Sequence, residues 1–254
     1  MCGQEHRPRL IGMRRCRHEY VPNFGHRKMK HFHCFDINPT EKALQMKGRN
    51  LLVFFAYPAR VKLAHEIGQE VLLDNGAFSV WRQGKEIRWS QYYAWVDEWL
   101  DCSTTWCIIP DVIDAGEAAQ DRLLADWPWG RKQSAPVWHT DESYQRLARL
   151  VEMWPRVCIG SSKIHPIGSD IWRRTMDGAF NFICGSMSRT PYIHGLRMQG
   201  VGADYPFGSV DSADIARNQN RPQNTIQKMA DRWDKRQPKS FRWTRRPEQQ
   251  ELIA

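Results

Sequence analysis

Three aspartates of the sequence follow runs of apolar residues, and together they could do acid–base and covalent chemistry. Asp74 follows VLL, Asp111 follows CIIP and Asp211 follows GSV. The strands of a parallel barrel carry their reactive groups at their carboxyl ends, which meet at one mouth. If all three runs are strands of such a barrel, the three carboxylates converge on one site.

Converging carboxylates suit chemistry at a glycosidic carbon. One can attack C1′ and form a covalent intermediate, while a second protonates the leaving base and then takes a proton from the incoming base. A third can recognise a purine, because a carboxylate accepts hydrogen bonds from both the N1–H and the N2–H₂ of guanine. Such a double displacement would retain configuration at C1′.

Each aspartate also has a purely structural explanation. An aspartate after a strand often caps the next helix or starts a turn. A helix cap is the better explanation of Asp114 and Asp214, and Asn75-Gly76 can form a turn after Asp74. Three aspartates at matching strand ends nevertheless favour a site over three unrelated turns.

The rest of the chain supplies the elements that a barrel needs. Apolar runs and turn residues predict strands over 31–37, 51–56, 70–78, 104–112, 135–139, 157–162, 191–198 and 207–212. Residues 181–185 fit a strand or a helix. Amphipathic stretches between the strands predict helices, as at 89–100. About eight strand–helix units without a glycine-rich dinucleotide turn predict an α/β fold, a single (β/α)8 barrel.

The composition is that of a globular protein. Of the 254 residues, 41% are hydrophobic, and no apolar run is long enough to cross a membrane. The first residues are charged and lack the apolar core of a secretory signal. Seven cysteines with scattered spacing indicate reduced thiols, so we expect a cytoplasmic protein.

Positive charge is concentrated towards the two ends of the chain. Residues 1–30 have a net charge of +6 and residues 221–246 of +7, whereas residues 31–220 carry −2. Such ends fit a phosphate-binding footprint, although solvated tails would have the same composition.

Three regions follow from this distribution. They are a basic arm at 1–28, a catalytic barrel at 29–220 and a basic helical extension at 221–254. The extension mixes cations with aromatic rings, which suits contacts to phosphates and stacking on bases. Its candidate nucleic-acid-binding residues are Arg232, Lys235, Arg236, Lys239, Arg242, Trp243, Arg245 and Arg246. An amphipathic helix packed on the barrel would explain the part around Trp233 equally well.

Several of these motifs resemble those of the queuine tRNA-ribosyltransferase-like superfamily. DNGAF at 74–78 is similar to the Asp-Ser-Gly-Gly-Phe motif of tRNA-guanine transglycosylases, and HGLRMQGVG at 194–202 is similar to their Leu-Met-Gly-Val-Gly segment. SVDS at 209–212 resembles their nucleophile-bearing strand. The compact size and the HGL…PFGSVDS spacing most resemble the deoxypurine-in-DNA subfamily (DpdA) of phages and genomic islands. The resemblance covers about residues 31–220.

The resemblance implies a role for individual residues. Asp211 would be the nucleophile, Asp74 the general acid/base and Asp111 the residue that recognises the base. The base pocket would be formed by Gly160, Ser161, Phe78, Asn75, Gly76, His194 and Gly195. A buried structural histidine is an equally good explanation of His194.

The zinc site of the tRNA enzymes is missing from the sequence. In that family three closely spaced cysteines and a histidine follow the nucleophile, but no cysteine follows Cys184 here. This departure argues against tRNA as the substrate, and we expect neither a metal nor another cofactor. The remaining candidate ligands are Cys16, His18, His31, His33 and Cys34, whose spacing fits no standard zinc motif.

The resemblance implies an enzyme that replaces guanine in DNA by a 7-deazaguanine, in the cytoplasm of a bacterial or phage-infected cell. Its partners would be DNA, duplex or locally melted so that the target base can leave the stack, and a free base such as 7-cyano-7-deazaguanine. Three alternatives stay open. The nucleic acid could be tRNA, water could replace the incoming base in a glycosylase or nucleosidase, or the barrel could bind nucleic acid without catalysis.

Overall fold

A computed structural model describes residues 28–85, 88–186 and 192–247 of the chain. The basic arm expected at 1–28 lies outside these ranges apart from its last residue, and so do Cys16 and His18.

Within the described ranges, nine parallel strand segments form one sheet. They are β1 (Lys30–Cys34), β2 (Asn50–Phe54), β3 (Glu70–Asp74), β4 (Thr105–Ile108), β5 (Ser134–Ala135), β6 (Val137–His139), β7 (Arg156–Gly160), β8 (Tyr192–Gly195) and β9 (Ser209–Ser212). Their order in the sheet is β5-β4-β3-β2-β1-β9-β8-β7-β6.

The two ends of this order belong to one strand position. Only Pro136 separates β5 from β6, and a proline has no N–H to donate to a neighbouring strand. The Pro136 carbonyl still accepts the N–H of Cys158 at 2.8 Å. The sheet is therefore a barrel with eight strand positions, which confirms the predicted α/β barrel.

Helices alternate with the strands around the outside. They are α1 (Thr40–Ala43), α2 (Val61–Ile67), α3 (Ala77–Arg82), α4 (Trp89–Trp99), α5 (Glu117–Ala125), α6 (Tyr144–Met153), α7 (Asp170–Ser186), α8 (Asp214–Asn218) and α9 (Ile226–Asp234). The ambiguous residues 181–185 belong to α7. No helix in the described part of the chain is long and apolar enough to cross a bilayer.

The two predicted helix caps are wrong. Asp114 adopts a left-handed φ of 58°, and Gly116, not Asp114, precedes α5. Asp214 is the first residue of α8, and its N–H donates to Ser212 Oγ at 3.0 Å. The Asp214 carboxylate instead accepts the indole N–H of Trp233 at 2.8 Å, because α9 brings that ring against α8.

The alternation of the strands places apolar residues inside the barrel and acids at its mouth. Every second residue of a strand points to the same side. The interior cluster consists of Phe32, Leu52, Leu72, Trp106, Ile108, Ala135, Val137 and Cys158. Two residues further along their strands, Asp74 follows Leu72 and His139 follows Val137. The face of the sheet that lines the barrel interior therefore also carries polar side chains at the carboxyl ends of its strands.

The C-terminal extension packs on the barrel wall. Ile226, Met229 and Ala230 of α9 are buried in the main core. After α9, Gln237 donates through Nε2 to the carbonyl of Met29, the residue that precedes β1, at 3.1 Å. The extension is therefore part of the packed structure of the barrel.

Candidate active site

A cavity of about 460 Å³ opens at the carboxyl ends of the strands. Asp74, Asp111 and Asp211 all line it, so the structure brings the three aspartates together. The predicted base-pocket residues that line it are Asn75, Gly76, Phe78, Gly160 and Ser161. Polar and charged side chains share its lining with apolar ones such as Phe54, Phe78 and Leu196, and a concave site of this size suits a small planar ligand.

Asp74 is the last residue of β3 and is partly exposed to the cavity. Its Oδ1 accepts the N–H of Gly76 at 2.8 Å, in a turn for which Gly76 adopts a φ of 76°. Burial and the negative charges of Asp211 and Asp111 raise the pKa of Asp74 to about 7, although the hydrogen bond from Gly76 and the charge of Arg197 oppose this rise. Such a carboxyl group can both give and take a proton near neutral pH.

Asp211 lies on β9 and is 4% exposed. Its Oδ1 accepts the backbone N–H of Arg197 at 2.7 Å. Arg197 adopts a left-handed φ of 59°, which is uncommon for a residue with a side chain. His194 Nε2 lies 3.3 Å from the same oxygen without forming a hydrogen bond to it. The turn after β8 therefore holds the Asp211 carboxylate in place.

Asp111 is 6% exposed and accepts hydrogen bonds on both oxygens. Asn75 donates to Oδ1 at 2.7 Å, and His139 Nε2 lies 3.0 Å from Oδ2. His139 closes β6, and sequence reasoning missed it. The signal was available, because His139 ends the apolar run PVW in the same way that the aspartates end theirs.

A buried network holds His139 from its other side. Glu142 accepts the backbone N–H of His139 at 3.0 Å and lies 3.4 Å from its Nδ1. Arg146, 2% exposed, pairs with Glu142 at 2.6 Å. Burial lowers the pKa of His139, but the bonds to Asp111 and Glu142 outweigh burial and raise it to about 9. The ring is therefore an imidazolium at neutral pH.

Gly160 leaves room for the His139 ring. A Cβ at Gly160 would lie 3.0 Å from His139 Cδ2, closer than carbon atoms normally approach. The two residues are paired between β6 and β7. A side chain here would have to displace the ring that contacts Asp111.

Arg197 extends across the opening of the cavity, and sequence reasoning missed it as well. Its guanidinium carbon lies 3.4 Å from the centroid of the Phe78 ring, and its Nη2 donates to Ser161 Oγ at 3.3 Å. A base that stacks on this face of Phe78 has to displace the guanidinium. Arg82 and Arg217 also line the cavity, so its rim is cationic.

Two predicted base-pocket residues do not line the cavity. His194 is fully buried inside the barrel, where Nδ1 hydrogen-bonds Ser209 Oγ at 2.8 Å and the ring packs edge-on against Trp106. A Cβ at Gly195 would meet Met198 at 3.0 Å, so Gly195 serves the packing of the following turn.

The predicted nucleic-acid-binding residues of the extension do not line the cavity either. Trp243 donates its indole N–H to Asn181 Oδ1 at 2.9 Å, and Arg246 pairs with Asp177 at 2.7 Å, both on α7. Arg232 pairs with Asp214 at 3.0 Å. The remaining members, which are Lys235, Arg236, Lys239, Arg242 and Arg245, have exposed side chains.

The described candidate metal ligands are engaged in packing. His31 Nε2 hydrogen-bonds the carbonyl of Arg236 at 2.8 Å, and His33 Nε2 pairs with Asp234 at 3.1 Å. Burial raises the pKa of the Cys34 thiol to about 12, which disfavours the thiolate that binds metals. Among the described residues, no three candidate ligands cluster.

Comparison with known proteins finds a distant likeness. No family model and no curated protein matches the chain. A solved structure of a mutant tryptophan synthase α-subunit from the hyperthermophile Pyrococcus furiosus is similar, with a TM-score of 0.45 and 9% identity over 82% of this chain and 96% of that chain. This likeness is too weak to bear on activity, and it does not support the resemblance to transglycosylases.

Proposed function

We propose that this protein is a pentosyl-transferring enzyme that replaces guanine in DNA by a 7-deazaguanine. The observation that carries the proposal is the convergence of three carboxyl groups in one cavity, each in a different environment. Burial and neighbouring charges raise the pKa of Asp74 to about 7, Asp211 is oriented by a backbone N–H, and Asp111 is hydrogen-bonded to His139. Carboxyl groups in distinct environments can divide acid, nucleophile and recognition roles.

In the first half-reaction, a carboxylate oxygen of Asp211 attacks C1′ of the target nucleotide. The C1′–N9 bond breaks and its electron pair goes to N9, which takes the proton of the Asp74 carboxyl group. Guanine leaves, and the sugar is esterified to Asp211. The hydrogen bond from Arg197 N–H keeps the attacking carboxylate in position.

In the second half-reaction, the incoming 7-deazaguanine takes the place of guanine. The ionised Asp74 removes the proton from N9 of the incoming base, N9 attacks C1′, and the ester to Asp211 breaks. Both aspartates return to their initial states, so proton and electron counts balance. Two inversions at C1′ retain the configuration.

The nucleic acid would reach the cavity through its cationic rim. Arg82, Arg197 and Arg217 can contact phosphates next to a nucleotide that has left the base stack. The preference for DNA over tRNA rests on the motif spacing and on the missing cysteine motif, both seen in the sequence.

Base exchange followed by mass measurement tests the proposal. Guanine-containing DNA is incubated with the protein and 7-cyano-7-deazaguanine, then digested to nucleosides. We expect the modified deoxynucleoside with the natural protein and a loss of at least about 10⁴-fold with Asp211→Asn. Incorporation into tRNA but not into DNA would show that the substrate of the enzyme is tRNA. Release of guanine without incorporation would show that water is the acceptor.

A further inference from the structure

Both oxygens of the Asp111 carboxylate face donors whose orientation is fixed. Asn75 cannot reverse its amide, because Nδ2 also donates to the carbonyl of Ile109 at 2.9 Å and Oδ1 accepts the N–H of Ala77 at 2.9 Å. The amide therefore offers only N–H to Asp111. His139 Nδ1 lies 3.4 Å from both Glu142 Oε1 and Gln120 Nε2, and Nε2 lies 3.0 Å from Asp111 Oδ2. Because the pKa of His139 is raised to about 9, both ring nitrogens carry a proton at neutral pH, and Nε2 offers N–H to Asp111.

A carboxylate that receives one hydrogen bond on each oxygen keeps one acceptor site on each. We infer that His139 is a positioning residue that fixes the orientation of the Asp111 carboxylate, so that its remaining acceptor sites set the purine preference of the cavity. The inference rests on the proposed function, since it specifies how the base of that reaction is chosen.

The chemistry of the purines explains the expected preference. Guanine and 7-deazaguanines present two adjacent donors, N1–H and N2–H₂, which match two adjacent acceptors. Hypoxanthine presents N1–H alone. Adenine presents the acceptor N1 beside N6–H₂, and the oxygen of a carboxylate repels N1. The N–H groups of Asn75 and His139 fix the Asp111 carboxylate at the cavity, and this arrangement favours guanine over adenine.

The buried network makes this arrangement stiff. Glu142 lies between His139 and Arg146, and Arg146 also donates to the carbonyl of Val137 at 2.9 Å and to Asp121 at 3.0 Å. The ring cannot rotate without breaking bonds on both of its sides. Its position is therefore set by the fold before a base arrives.

Incorporation of labelled bases into DNA by the full-length protein tests the inference. We would measure kcat and KM for labelled guanine, hypoxanthine and adenine with the natural protein and with His139→Gln. We expect the KM for guanine to rise about 10- to 100-fold and the ratio of guanine to adenine incorporation to fall by a similar factor. The kcat should change less than about threefold, because Asp74 and Asp211 are untouched.

Two further variants control the experiment. His65→Gln changes a histidine that stacks on Trp99 outside the cavity, and it should leave both KM and selectivity unchanged. Glu142→Gln removes the charge behind His139 and should shift selectivity in the same direction by a smaller factor. It also provides a result if His139→Gln does not fold.

The outcomes separate this inference from the proposed function. Exchange of guanine with unaltered selectivity in His139→Gln and Glu142→Gln would overturn the role of His139 and leave the reaction standing. If the natural protein incorporates no base, the proposed reaction fails. In that case, equilibrium dialysis of guanine and adenine against the natural protein and the variants still decides the role of His139. If the natural protein binds guanine more tightly than the variants do, the role of His139 is supported. If the natural protein and the variants bind guanine equally, that role is overturned.

Discussion

The mouth of the barrel and the C-terminal extension use charge in opposite ways. At the mouth, Asp111 and Asp211 are almost fully buried and each is oriented by N–H donors at 2.7 Å. In the extension, Lys235 and Arg242 project into solvent. Exposed charges are screened by water and salt, whereas buried and oriented charges shift proton affinities and direct reactions.

The extension contributes mainly through its apolar and hydrogen-bonding residues. Met229 is buried where α9 packs against the barrel wall, and Trp243 donates its indole N–H to a residue of α7. Ion pairs such as that of Arg246 with Asp177 add to this attachment, so the net charge of the segment alone does not describe how it is held.

The largest effect is expected from Asp74→Asn. An amide can neither protonate the leaving base nor accept the proton of the incoming one, so exchange should fall by about 10²- to 10⁴-fold. Steady-state base exchange measures this loss. Asp114→Asn is the matched control, since Asp114 is exposed and asparagine tolerates its left-handed backbone. Equal losses in both variants would show that the chemistry does not depend on Asp74.

The stability of Asp74→Asn relative to the natural protein should increase as pH rises. The pKa of Asp74 is raised to about 7 in the folded state, so its contribution to stability is complete below its unfolded pKa and is lost as pH rises through 7. Asparagine does not ionise. The unfolding free energy of Asp74→Asn relative to the natural protein should therefore increase by on the order of 3 kcal/mol between pH 5 and pH 8. Urea unfolding at both pH values measures it, and a pH-independent difference would contradict the raised pKa.

The extension should prove more important for stability than for the reaction. Met229→Ala removes a side chain that is 3% exposed, so the unfolding free energy should fall by about 2–5 kcal/mol. Activity per folded molecule should stay unchanged. Lys235→Ala, on the exposed side of the same segment, should change stability by less than about 0.5 kcal/mol. A large loss of activity in folded Met229→Ala would instead connect the extension to the mouth.

The barrel and its three aspartates could be predicted because both depend on local, periodic signals. Apolar runs mark strands, and residues just beyond them lie at the mouth whatever the rest of the sequence does. Arg197 was not predictable in this way. Its role depends on a left-handed turn that directs its N–H to Asp211 and on a ring, Phe78, that is distant in sequence.

The helix caps and the two misplaced pocket residues show a second limit. Asp214 was expected as a cap, but a partner on α9 takes its carboxylate. His194 and Gly195 lie one to two residues before the turn that reaches the cavity. An offset of one or two residues along a strand places a side chain in the barrel interior or on its outer wall instead of at the mouth, because side-chain directions alternate.

The smallest expected effect decides which region binds nucleic acid. Arg217 lines the cavity, whereas Arg242 lies on the extension, and both side chains are exposed. If the target nucleotide enters the mouth, Arg217→Ala should weaken DNA binding about 5- to 10-fold. It should also reduce by about one the magnitude of the slope of the logarithm of the binding constant against the logarithm of salt concentration. Arg242→Ala should change the affinity less than twofold. Fluorescence anisotropy over a range of salt concentrations measures both. The reverse ranking would restore the extension as the phosphate-binding surface and would require DNA to follow the barrel wall before it reaches Asp211.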